Sequence, residues 1–407
     1  MNNLKWHRLG VVNLIKKFFL VLLISLLLLN NLAFGLNGYE DKIKSYLLAD
    51  FETGEILESY NIDTTLELAS TSKLLSYYVI MDEISKGNIS YSDIIVIDED
   101  TSKVTGSSYK LKPGEEFTVE KLLKAAIVIS GNDAVYALAK HIAGTEGNFI
   151  KLMKNKADNL GLKNCELYNS SGLPINKEGL QNKMTTRELF ILVKNLLEDY
   201  PEVLEYSKLP FISEPSRNFL EMNTNPLLRT VENVDGLKTG FTGKAGYCLV
   251  STIGIKGEPR KTEDIRLIGI VMGAGNFDDR TAVSKALMEY GKNNYSKRII
   301  LHDELPLQTI EFKIGEPKNI DIYPEVTLSK FLNNNTDIKL DIKLSDTKLP
   351  LKENTNLGQV IVLENDVPVF TTNIINKQKV GKVNLINLVY RFYASLYSMQ
   401  EAIFKSL

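Results

Sequence analysis

Strand signals stand at both ends of the stretch from residue 45 to residue 295, and helical signals fill the space between them. Ser45 to Phe51 and Glu55 to Tyr60 flank Glu52-Thr53-Gly54 and read as a hairpin with glycine at its turn. Strand signals return only at Gly246 to Ile253 and Leu267 to Met272. This spacing predicts an α+β domain whose sheet joins distant parts of the chain around a helical block.

The helical block is itself well marked. Leu74, Leu75, Tyr78, Met81 and Ile84 recur at helical spacing from Ser70 until Gly87. Leu122, Leu123, Ala126 and Ile127 follow Thr118-Val119-Glu120, a third helix runs from Asp133 to Ala143 and ends at Gly144, and Ala157 to Gly161 closes a fourth. In Thr185-Thr186-Arg187-Glu188 a threonine can cap the run Leu189, Leu192, Val193, Leu196, and Ala282 to Tyr290 reads as a final helix.

With 407 residues, 44% of them hydrophobic and 24% charged, the chain predicts a globular protein of two domains. The first domain ends near Tyr295. Beyond it, alternating segments such as Leu307 to Ile314, Ile338 to Leu344, Gln359 to Leu363 and Val367 to Asn373 predict a small all-β domain over 296–380. The last segment, 381–407, places Leu385, Val389, Phe392, Leu396, Met399, Ile403 and Leu407 at steps of three or four, with Lys382, Arg391 and Lys405 off the stripe. Arg391 makes a membrane-spanning helix costly, so the pattern fits an amphipathic helix lying on a membrane surface; packing on protein is the other reading.

Residues 1–35 carry Lys5, Arg8, Lys16 and Lys17, no acid, an apolar run from Phe18 to Leu29 and then Ala33-Phe34-Gly35. This reads as a signal peptide, with an uncleaved anchor as the alternative, and places the chain outside the cytoplasm. Its removal makes the net charge of −2 more negative, which gives no support for nucleic-acid binding. Cys165 and Cys248 could pair in an exported protein, although Cys248 reads equally well as a small buried hydrophobe.

Chemistry is narrowed by scarcity. The three histidines are His7, in the leader, His141, in a helical run, and His302, near the domain junction, so a Ser-His-Asp triad is disfavoured. No cluster has metal-ligand spacing and no glycine-rich loop has phosphate-binding form, so neither metal nor cofactor is expected. A hydrolytic serine here needs another base, and lysine serves if burial or a neighbouring cation removes its proton. Ser70 and Lys73, three apart at a helix start, are placed to meet. The same S-x-x-K spacing at Ser107 to Lys110 and Ser345 to Lys348 falls in a loop and a polar turn. Ser130 and Asn132 offer a hydroxyl to return a proton and a carboxamide to hold a substrate amide; a helix-capping turn is the plainer reading. Lys238-Thr239-Gly240 offers an ammonium and a hydroxyl for a carboxylate, glycine for close approach of a ligand, and a strand-edge N–H to complete an oxyanion hole with that of Ser70.

Ser70-Thr71-Ser72-Lys73, Ser130-Gly131-Asn132 and Lys238-Thr239-Gly240, in that order, resemble the serine penicillin-recognising enzymes. Within them the chain is most similar to the low-molecular-mass D-alanyl-D-alanine carboxypeptidases. The likeness extends to Gly106-Ser107-Ser108, Leu111-Lys112-Pro113-Gly114-Glu115, Ser130-Gly131-Asn132-Asp133-Ala134, Asn169-Ser170-Ser171-Gly172-Leu173-Pro174 and Asp235-Gly236-Leu237, and takes in the trailing β domain and terminal helix. It implies a β-lactamase/DD-peptidase-like domain over 36–295, with an antiparallel sheet and a helical subdomain. Its implied substrate is a peptidoglycan stem peptide ending in D-Ala-D-Ala. Ser70 would be acylated with Lys73 as base, Ser130 would relay the proton, Asn132 would hold the amide, and Lys238 and Thr239 would bind the carboxylate. β-Lactams would acylate Ser70. Ser72 stands where the family usually has threonine, and Ser171 where histidine or aspartate is usual; Arg229 is a further candidate for the carboxylate. Two rivals share the motifs: a class A β-lactamase using the stretch Glu166 to Asn169, and a catalytically idle wall-binding protein.

Overall fold

The computed structural model describes residues 38–175 and 179–406, with the side chains of 402–404 and 406 left aside. The signal-peptide reading of residues 1–35 and the last residue of the apolar stripe, Leu407, lie outside the described residues. The chain divides into two compact units, 38–254 with 266–290, and 255–265 with 291–406.

The first unit is α+β. Strands β1 (Ser45–Asp50) and β2 (Ile56–Tyr60) form the expected hairpin, with Gly54 at φ +74° in the turn. They join β3 (Val234–Thr242), β4 (Gly246–Ile255) and β5 (Ile265–Ala274) in the order β2-β1-β5-β4-β3. Ser45 of β1 faces Met272 of β5 and Asp50 faces Leu267, so the chain's two ends close the sheet in antiparallel register. All six residues of β1 are buried, as expected of a central strand covered on both faces. Strand β3 is an edge, and that edge carries Lys238, Thr239 and Gly240.

Between the strands lie helices α1 (Lys73–Ser85), α2 (Val119–Val128), α3 (Asn132–Ala143), α4 (Glu146–Asn159) and α5 (Thr186–Asp199). Thr118 caps α2 by accepting from the Lys121 N–H, and Thr185 with Glu188 forms a reciprocal capping box on α5. Gly87, Gly144 and Gly161 take the left-handed conformation just past α1, α3 and α4. Helix α1 departs from a one-sided stripe: every residue from Lys73 to Met81 is buried, because the helix runs through the core shared with Leu122, Leu138, Phe149 and Leu192. The final helix is longer than the apolar run predicts: α6 spans Phe277–Asn294.

The second unit has its own core of Leu301, Ile320, Ile322, Leu357, Val360, Val362 and Ile374. Strands β6 (Gln308–Glu311), β7 (Asn319–Pro324), β8 (Ile338–Leu344), β9 (Asn356–Glu364) and β10 (Val367–Asn376) stand in the order β6-β7-β10-β9-β8. Its boundary falls at Gly291 rather than after Tyr295, and it includes residues 255–265. The cause is local pairing: Thr262 and Glu263 face Arg298 and Lys297 on the strand Tyr295–Leu301, and Lys297 Nζ lies 2.7 Å from Glu263. Helix α7 (Leu385–Ser406) ends the chain; Arg391 donates to Gly315 O at 2.8 Å and to Glu316 at 2.6 Å, while Leu385, Ile386, Tyr390, Phe392, Tyr393 and Tyr397 are exposed. Among the described residues no helix is long and apolar enough to cross a membrane.

Candidate active site

Ser70 does not open an α-helix. It lies in a 3₁₀ turn, Ala69–Ser72, that leads into α1 at Lys73. The tighter winding eclipses side chains three residues apart, so Lys73 stands over Ser70 more directly than in an α-helix. Lys73 Nζ lies 2.8 Å from Ser70 Oγ, 2.6 Å from Asn132 Oδ1 and 3.1 Å from the carbonyl oxygen of Ser171. The lysine is 1% exposed. Burial first, and the nearby Lys238 charge second, hold its ammonium well below the ordinary lysine range, against an opposing pull from Asp133.

The Ser130–Asn132 turn joins α2 to α3, and Ser130 is held at φ +61°. The capping reading fails: Gly131 is the N-cap of α3 and no side chain caps it. The Asn132 carboxamide instead accepts from Lys73 and donates through Nδ2 to Thr105 O at 2.8 Å.

On the opposite wall, Thr239 Oγ1 donates to Thr224 Oγ1 at 2.7 Å, and buried Lys238 donates to Thr239 O at 3.0 Å. Burial and then the Arg280 charge lower the Lys238 ammonium to about 7. Gly240 lines the cleft and has a second use. A Cβ there would stand 3.0 Å from Leu68 O and 3.1 Å from Ser70 N, so the missing side chain admits the turn that carries Ser70. Ser70 N therefore packs against Gly240 of the edge strand β3. Gly172 acts likewise from the other side: at φ +82°, a Cβ would meet Ala69 O at 1.8 Å.

These walls enclose a cleft of about 580 Å³ lined by Ser70, Ser130, Asn132, Thr239, Gly240 and Arg229 among others. It also contains Arg280, which no motif marks. Arg280 lies in the first turn of α6, is 4% exposed, and its guanidinium packs 4.7 Å over Phe277 while its Nε has no hydrogen-bond partner. Its sequence setting, Asp278-Asp279-Arg280, resembles an ordinary charged helix start, so only the fold reveals that it points into the cleft beside Lys238.

The decoys fall away. Lys110 Nζ reaches Glu221, not Ser107, and Ser345 to Lys348 belongs to the second unit. Glu166 is bound by the Tyr168 hydroxyl at 2.9 Å and does not line the cleft, and Asn169 Oδ1 is taken up by the N–H groups of Ser171 and Gly172. Neither is placed to activate a water as the class A reading requires. His141 and His302 do not line the cleft, and Cys165 and Cys248 are unpaired.

A family model described as D-alanyl-D-alanine carboxypeptidase, peptidase S11, matches residues 37–276. Among curated proteins, the D-alanyl-D-alanine carboxypeptidase DacF of Bacillus subtilis is 30% identical over 355 residues, covering 86% of this chain and 88% of that protein. DacD of Escherichia coli is 28% identical over 375 residues, 89% of this chain and 93% of that one. Among solved structures, penicillin binding protein 5 from Haemophilus influenzae superposes with a TM-score of 0.61 at 26% identity, covering 84% of this chain and 98% of the other. Penicillin-Binding Protein D2 from Listeria monocytogenes in its ampicillin-bound form gives 0.54 at 29% identity, over 61% and 97%.

Proposed function

Because this chain belongs to the D-alanyl-D-alanine carboxypeptidase family, serine peptidases that act on peptidoglycan, we propose that Ser70 is its nucleophile and Lys73 its general base. One observation carries the assignment: the buried Lys73 amine touches three oxygens. A neutral amine has two N–H groups and one lone pair. Asn132 Oδ1 and Ser171 O can only accept, so they take the two hydrogens and leave the lone pair facing the Ser70 hydroxyl.

Lys73 takes the Ser70 proton as Oγ bonds to the carbonyl carbon between two terminal D-alanines. The oxyanion is met by the Ser70 N–H and an N–H of the β3 edge. The proton passes through Ser130 to the departing amine, the C–N bond breaks, and D-alanine leaves. Water then breaks the Ser70 ester and releases the shortened peptide. Lys238, Thr239 and Arg280 receive the terminal carboxylate; the unpartnered Nε of Arg280 in the cleft wall supports its inclusion. Asn132 keeps a second Nδ2 hydrogen for the substrate amide.

β-Lactams present an amide carbonyl and a carboxylate in the same relation and acylate Ser70. In this reading the enzyme works outside the cytoplasmic membrane, exported through residues 1–35 and resting on the membrane by α7. The support is the outward apolar side of α7, whose one mid-helix charge, Arg391, is taken up by Glu316. Incubation with a pentapeptide stem is expected to release D-alanine, and Ser70→Ala to abolish release with the fold intact. No release from the wild type would refute the reading.

A further inference from the structure

Thr105 to Leu111 forms one wall of the cleft, contributing Gly106 and Ser107, yet it has no regular secondary structure. Something must hold it. Its start is tied to Asn132, whose N–H donates to Ser107 O at 2.7 Å and whose Nδ2 donates to Thr105 O. Its middle is tied to the next residue, Asp133. The Asp133 carboxylate, 2% exposed, accepts from Tyr109 N at 2.8 Å, Ser108 Oγ at 2.7 Å, Leu111 N at 3.2 Å and Ala134 N at 2.9 Å. Three of these four donors belong to the wall, and the fourth is in the first turn of α3.

We propose that Asp133 is the positioning residue of the active site: its carboxylate fixes the 105–111 wall to the N-terminus of α3 and so sets where Asn132 presents its carboxamide to Lys73 and substrate. The inference rests on the assignment of Ser70 and Lys73 given above. A group that only accepts suits this place, because three of the four partners are backbone N–H groups and the fourth, the Ser108 hydroxyl, donates here. The helix N-terminus favours a negative charge there. The location is economical in covalent terms, since Asn132, which contacts Lys73, and Asp133, which holds the wall, are adjacent in the chain. A shift of the wall is thereby transmitted to the base through one peptide unit. Arg217 braces the wall from the other side, donating to Tyr109 O and Lys110 O, but it touches nothing in the catalytic set.

Asp133→Asn separates this role from bulk stability. The amide oxygen can keep Tyr109 N and Ala134 N, the Ser108 hydroxyl can turn to accept, and Leu111 N–H alone meets a donor. The test measures acylation of the full chain by a fluorescent penicillin, D-alanine release, thermal midpoint and tryptic cleavage after Lys110. Asp133→Asn is expected to keep a cooperative unfolding transition, lose at least tenfold in acylation rate, and become cleavable at Lys110. It should also move the acidic limb of acylation to lower pH, because one of the charges favouring protonated Lys73 is gone. That charge effect would follow from any carboxylate at this place, so the deciding readout is the acylation rate on the pH plateau above the limb, which a merely structural carboxylate would leave unchanged. Should Asp133→Asn fail to fold, Ser108→Ala, which removes one of the four bonds, is expected to lose severalfold in the same rate. Wild-type acylation rate and pH profile in a folded Asp133→Asn, or in Ser108→Ala if only that folds, would overturn the proposal. A wild type that is not acylated at all would instead overturn the assignment of Ser70.

Discussion

Lys73 Nζ stands 2.8 Å from Ser70 Oγ at the junction of a 3₁₀ turn and an α-helix, and the lysine is buried at that junction. Lys73→Met should therefore leave the fold intact and lower acylation by roughly 10²–10⁴-fold, the range of a general base. Stopped-flow reaction with a chromogenic β-lactam checks it; loss below tenfold would place the base elsewhere.

Lys238 should set the alkaline side of activity. Its ammonium titrates near 7 in the free enzyme and must be charged to attract a carboxylate. kcat/KM for a peptide with a free terminal carboxylate is expected to fall above about pH 7. With the terminal carboxylate amidated, that limb should flatten in the same assay.

The same lysine makes a stability prediction. Its folded value, about 7, lies below the ordinary lysine value of 10.5, so between them the unfolded chain binds more protons and wild-type stability rises with pH. Lys238→Met should be more stable than wild type at pH 6. That advantage should shrink towards pH 10, by at most about 1.4 kcal/mol per unit. Urea unfolding at pH 6, 8 and 10 measures it.

Arg280→Gln should raise KM for the carboxylate substrate by about 10-fold or more, as expected for loss of a charge-assisted hydrogen bond. It should also move the alkaline limb upward, because the Arg280 charge depresses Lys238. Steady-state kinetics across pH reads both effects.

Gly172→Ala tests the packing behind the turn that carries Ser70. The new Cβ would lie 1.8 Å from Ala69 O at a φ of +82°, so the turn carrying Ser70 must shift. Acylation should fall more than 100-fold. Stability should drop by more than the ~1–3 kcal/mol of left-handed strain alone, read by thermal unfolding.

Much of this was legible in the sequence because local chemistry and tertiary fold agree. Thr118, Thr185, Gly87 and Gly144 mark helix ends with side-chain or backbone signals that need no partner. The hairpin at Gly54 and the strand signals at Gly246 to Ile253 and Leu267 to Met272 marked the sheet except for its edge strand Val234–Thr242, which escaped although it carries Lys238 to Gly240, and the ordered motifs marked most of the cleft. What escaped depends on contacts across long separations. Residues 255–265 join the second unit through pairing with the strand that begins at Tyr295, a contact made across a long separation in sequence. That Gly240 also makes room for Leu68 and Ser70 shows only once the fold brings them together. Arg280 carries no motif, and Asp133 enters the sequence reading only as part of the stretch Ser130-Gly131-Asn132-Asp133-Ala134; the neighbours of both are brought in by the fold.

Peptide mass mapping after incubation with benzylpenicillin bears most directly on the assignment of Ser70. One penicilloyl adduct per chain is expected, on the peptide containing Ser70, absent from Ser70→Ala and greatly slowed in Lys73→Met. An adduct on Ser107 or Ser130, or one that forms as fast without the Lys73 amine, would contradict the account.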